Sequence, residues 1–158
     1  YNSSRLNNTP FLYSKRAYLY ACIKTIKGEI EISNQLLNEV HEIEKDKEGW
    51  NIGKRILTII NRIEMRDFES VDLKVLSLEK FIKRILKYRH VRKRNILILR
   101  ILLKLINEGF DFNKVYSQRK RYFASLESND SEYCWKVKSP ELIAFHDWFK
   151  SKVSLTNQ

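Results

Sequence analysis

Residues 96–106 read Ile-Leu-Ile-Leu-Arg-Ile-Leu-Leu-Lys-Leu-Ile, nine apolar residues in eleven. A membrane-spanning helix needs about 20 apolar residues in succession. This run is shorter, contains Arg100 and Lys104, and is bounded by Lys93, Arg94 and Glu108. It reads as a helix buried on nearly every side, around which the other elements must pack. Its surroundings agree. Four Gly and two Pro in 158 residues leave few turns, and the abundance of Lys, Arg, Glu, Ile and Leu favours long helices. With 43% hydrophobic and 31% charged residues, the chain can bury a core without disulfides or metals.

Outward from that run the pattern predicts seven helices and no strand. Thr9-Pro10 supplies an N-cap and a first-turn proline for a helix that stops at Gly28. A second helix is expected over Ser33 to Asp46, with Leu36, Leu37, Val40 and Ile43 on one face. A third spans about Asn51 to Arg66, with Ile52, Ile56, Ile59, Ile60 and Ile63 as its stripe. The fourth runs from about Ser70 to Arg89, turning Leu73, Leu76, Leu78, Phe81, Ile82, Ile85 and Leu86 inward. The fifth covers Arg92 to Glu108 and ends at Gly109. A sixth is expected over Asp111 to Leu126. After a loop in which the alternation of Tyr133, Trp135 and Val137 fits a short extended piece, Ser139 caps a closing helix through Val153.

Lys15-Arg16, Lys54-Arg55 and Lys93-Arg94 recur at an interval of 39 residues, each near the start of an apolar helix followed by a more amphipathic one. This divides one helical domain, 1–158, into antiparallel hairpins at about 9–46, 50–89 and 91–127, with the closing helix at 139–153. Over residues 9 to 127 the pattern resembles tetratricopeptide-like and HEAT-like helical repeats, in which helix pairs stack into a superhelix. The resemblance implies a short right-handed superhelical array serving as a binding scaffold. The tetratricopeptide signature residues are absent, so no residue role comes with it. The competing arrangement is an irregular helical bundle. Because the sequence starts at Tyr1 and not at Met, it fits a piece of a longer chain.

Between Lys80 and Asn107 the chain carries ten basic residues and no acid, against 20 Lys+Arg and 19 Asp+Glu elsewhere. Nearly all of the net charge of +11 therefore falls on the fourth and fifth expected helices and the turn between them. Lys80, Lys83, Arg84 and Lys87 follow i, i+3, i+4, i+7 spacing, opposite Phe81 and Ile82. The turn adds Arg89, His90, Arg92, Lys93 and Arg94, a cluster that also looks like a nuclear localisation patch. The residues expected to contact a macromolecule are Lys80, Lys83, Arg84, Lys87, Arg89, Arg92, Lys93 and Arg94. The partner expected first is a protein with an acidic surface or peptide. The alternative is a nucleic acid, whose backbone such a ridge could follow.

Catalysis needs a constellation, and the sequence offers none. It has no GxGxxG, P-loop or nucleophile elbow. His41, His90 and His146 are far apart and lack ligand spacing to a Cys or second His. His146 and Asp147 are helix neighbours that do not face each other. Asp130 and Glu132 sit in a polar loop without an evident partner. No enzyme activity, cofactor or metal is expected. The aromatics fall at core spacings, except that Tyr13, Tyr18 and Tyr20 surround the first helix on more than one face. Cys22 and Cys134 read as free thiols of a reducing, cytoplasmic compartment.

Overall fold

A computed structural model describes residues 9–46 and 48–156, and all regular structure among them is helical. The helices are α1 (Thr9–Ile26), α2 (Ile30–Leu37), α3 (Trp50–Glu64), α4 (Phe68–Leu86), α5 (Lys93–Asn107), α6 (Phe112–Gln118), α7 (Lys120–Leu126) and α8 (Phe145–Thr156). None is long and apolar enough to cross a membrane. The chain forms two compact units that divide at Val71–Asp72, inside α4.

In the first unit α1 turns into α2 through Gly28, whose φ of 78° places it in the left-handed region that an L side chain rarely adopts. The Glu29 N–H then reaches back to the Lys24 carbonyl at 2.9 Å and closes the helix end. Ala17 and Ala21 of α1 and Ser33 of α2 are buried and small, which lets the two helices approach closely. Ile52, Ile56, Ile59, Ile60 and Ile63 of α3 are all buried, as their spacing predicts. A buried polar cluster ties the three helices together. Asn61 of α3 accepts from Thr25 at 2.6 Å and donates to Ser33 at 2.9 Å, and Ser33 donates to the Ala21 carbonyl at 2.8 Å.

The second expected helix is much shorter than Ser33 to Asp46. The reason lies in the polar side chains that claim the following backbone. Asn51 both accepts from the Ile43 N–H and donates to the Ile43 carbonyl, at 2.9 and 2.8 Å. Lys54 Nζ donates to the Val40 carbonyl at 2.6 Å. The Asp46 carboxylate accepts from the N–H groups of Gly49, Trp50 and Asn51, at 3.0, 2.9 and 2.7 Å, and so starts α3.

In the second unit α5 carries the core, with Leu97, Ile98, Leu99, Ile101, Leu102 and Leu105 buried. Against it pack α6 and α7, and α6 also packs on α8. Phe123, Phe145 and Phe149 are fully enclosed, with Phe123–Phe149 and Phe112–Phe149 ring centroids at 5.0 and 4.9 Å. Two boundaries depart from expectation. The sixth expected helix breaks at Arg119 (φ −121°), giving α6 and α7. The closing helix begins at Phe145 and not at Ser139, because residues 139–144 wrap inward and deliver Glu141 to a buried partner. Residues 133–137 form turns and irregular backbone, not an extended piece, and Val137 is exposed.

Candidate interaction surface

Along α4 the buried positions are Val71, Val75, Leu78, Phe81 and Ile82. At 100° per residue, Val71, Val75, Leu78 and Ile82 fall within one narrow sector. The opposite sector holds Leu73, Leu76, Lys80, Lys83, Arg84 and Lys87, all of them exposed. This corrects the expected stripe: Leu73 and Leu76 face outward, with 70% and 47% of their surface in solvent, and Leu86 is also exposed. The β-branched valines at 71 and 75 take the inner positions instead. The outer face is therefore apolar in its first half and basic in its second.

Its cations differ in how they are held. Lys83 pairs with Glu79 one turn earlier at 2.6 Å, and Arg84 lies over the Phe81 ring at 5.3 Å. Lys80 and Lys87 have no acidic partner among the described residues. Both pairings leave the charge in water, where an exposed ion pair contributes little.

The turn behaves differently. Arg89, His90 and Lys93 are exposed, but Arg92 is half-buried and donates to the carbonyls of Ser131 and Cys134, both at 2.8 Å. Arg94 is 1% exposed. All five of its guanidinium hydrogens have acceptors. Nε and one Nη bond the Glu141 carboxylate at 2.7–3.0 Å, the other Nη bonds the carbonyls of Leu126 and Tyr133 at 2.8 Å, and His146 Nδ1 accepts at 2.9 Å. Arg94 is thus a structural clasp and has no donor to offer an outside partner. Its burial is possible because the fold brings Glu141 from 47 residues away, which no local pattern announces.

Glu132 likewise has partners after all. Its carboxylate accepts from the Lys93 N–H at 3.2 Å and lies 3.0 Å from His90 Nε2. These contacts hold its pKa below the usual carboxylate range, the Lys93 N–H contributing most. His146, in turn, is held below its ordinary value, first by burial and then by the Arg94 charge. Accepting at Nδ1 requires a neutral ring with its hydrogen on Nε2, which lies 3.5 Å from Asp147 Oδ1, so these two helix neighbours approach each other against the expectation from their spacing. Lys104 is engaged as well. It shares Glu108 with Lys114, at 2.7 and 2.6 Å, and the two hold that carboxyl down to about 2.

The basic segment therefore separates into a structural part (Arg92, Arg94, Lys104) and an exposed part. Of the eight expected contact residues, Lys80, Lys83, Arg84, Lys87, Arg89 and Lys93 are on the surface. Leu73 and Leu76 belong to the same helix face and were not anticipated. The spacing 71, 75, 78, 82 is compatible with the observed inward stripe, but so is the expected one, and spacing does not choose between them. No group of His, Cys, Asp and Glu among the described residues could hold a metal ion. Comparison with known proteins gives no match to any family model, curated protein or solved structure.

Proposed function

We propose that the chain is a non-catalytic helical interaction module, of the helical-repeat kind, that binds an acidic segment of another protein across the outer face of α4. One observation carries this reading: Leu73 and Leu76 are exposed in line with Lys80, Lys83, Arg84 and Lys87. An acidic peptide with apolar anchors satisfies both halves of such a face. A phosphate backbone would use the cations and leave the leucines in water. The nucleic-acid reading rests on the same lysines, and salt dependence separates it.

The test uses two probes, a dye-labelled peptide alternating Leu and Glu and a generic oligonucleotide, titrated against the protein by fluorescence anisotropy. Leu73→Ser with Leu76→Ser should weaken the peptide about tenfold or more, and Glu at positions 80, 83, 84 and 87 should abolish its binding. Oligonucleotide binding that falls steeply with salt and ignores the leucine changes would establish the alternative. No binding of either probe at low salt would overturn both.

A further inference from the structure

The first unit carries a second exposed face. Leu12, Tyr13, Leu19, Tyr20, Ile23 and Ile26 of α1 are all exposed, Leu12 and Ile26 by 61% and 70%. At 100° per residue they form one sector, while Ser14, Ala17, Tyr18, Ala21 and Cys22 fill the opposite, buried sector. The helix thus has two apolar faces and packs only one of them. From Leu12 to Ile26 the outer ridge runs about 21 Å, the length of four helical turns. Six large apolar side chains exposed along one sector of a helix mark a contact site.

Charge states what would cover it. Helix α1 contains no acidic residue. Arg16 lies inside the apolar sector and Lys27 at its far end, both exposed. Two carboxylates beside the helix are already engaged: Glu39 accepts from the Tyr13 hydroxyl at 2.8 Å, and Glu29 pairs with Lys24 at 2.6 Å. A second copy of α1 would bring only cations to the interface. A lipid surface would have to take Arg16, between Leu12 and Leu19, toward its acyl region. An amphipathic helix can instead place a carboxylate opposite Arg16 while its apolar side chains meet the ridge. We infer that the outer face of α1 is a docking site for an amphipathic helix of another protein, with apolar residues along one stripe and acids beside it.

The site is distinct from the face on α4, so its test is run in a protein carrying Lys80→Glu, Lys83→Glu, Arg84→Glu and Lys87→Glu. Two helical peptides of about 21 residues share the same Leu stripe, one flanked by Glu and the other by Lys. The Glu-flanked peptide should bind at least about tenfold more tightly. Leu19→Glu with Ile23→Glu should remove binding, and Leu12→Gln with Ile26→Gln, at the two most exposed positions of the ridge, should weaken it while leaving thermal unfolding unchanged. Arg16→Glu with Lys27→Glu should reverse the preference in favour of the Lys-flanked peptide. Equal affinity for the two peptides, or a preference that Arg16→Glu with Lys27→Glu leaves unchanged, would overturn the inference. So would concentration-dependent dimerisation, or adsorption to phosphatidylserine vesicles, that Leu19→Glu abolishes when neither peptide binds.

Discussion

Arg94 shows how one side chain changes its meaning with its surroundings. In the sequence it is the third member of Arg92-Lys93-Arg94. In the fold it is the most enclosed cation of the described residues, with every hydrogen bonded. Removing one member of a buried ion pair leaves the other charge uncompensated, so Glu141→Ala should destabilise the protein by about 3–5 kcal/mol in denaturant titration. His146 adds a pH dependence whose sign follows from its lowered pKa. The unfolded chain takes up the proton more readily than the folded one. The contribution is therefore complete above the ordinary value of 6.5 and declines as pH falls from there through the folded value. Unfolding midpoints measured from pH 7.5 to about 5 should show this slope, and His146→Gln, which still accepts from Arg94, should flatten it. Arg66 is a simpler case. It closes α3 at φ 57°, the region Gly28 occupies after α1. Arg66→Gly should raise stability by about 1 kcal/mol, read as a higher thermal midpoint.

At the scale of elements, α4 separates what spacing can decide from what it cannot. Apolar residues stand at 71, 73, 75, 76, 78, 81, 82, 85 and 86, more than one helical face can bury. Two inward stripes fit this pattern, and packing selected the one through Val71, Val75, Leu78 and Ile82. The choice can be checked by substitution. Leu78→Ala should cost about 2–5 kcal/mol, whereas Leu73→Gln should stay within about 0.5 kcal/mol of the parent. Helix ends divide in the same way. Gly28 and Gly109 stop their helices at positive φ, as glycine at these points predicts. The end of α2 and the start of α8 were not legible, because Asn51, Lys54 and Arg94 pull those segments out of helical geometry through contacts between elements.

For the molecule as a whole, charge is divided as unevenly as exposure. Residues 1–71 hold 11 Lys+Arg and 10 Asp+Glu, while residues 72–158 hold 19 and 9. The second unit carries almost all of the excess, and part of that excess is spent on holding its own loop. The two units share one device. Near the start of α3 and of α5, cations fasten an irregular segment: Lys54 and Arg55 hold Val40 and Glu42, and Arg92 and Arg94 hold residues 126–141. The remaining exposed cations predict that the α4 interaction weakens as salt rises from 50 to 300 mM, by about tenfold or more. The α1 site, mostly apolar, should lose much less over the same range, and competition titrations at the two concentrations compare them.

The sequence by itself determined an all-helical protein, its longest helices and the core role of α5, although α3, with nine buried residues of fifteen against seven in α5, is the more enclosed of the two. These depend on intrinsic propensity and on periodicity within one element, which neighbouring residues report to one another. The face of α4 that turns inward, the break at Arg119, and the division of ten cations into clasp and surface were decided only by tertiary structure. The first and last of these depend on groups that meet across tens of residues. Glu141 and Glu132 lie 47 and 42 positions from Arg94 and His90, and only the closed fold brings those charges within 3 Å of their partners.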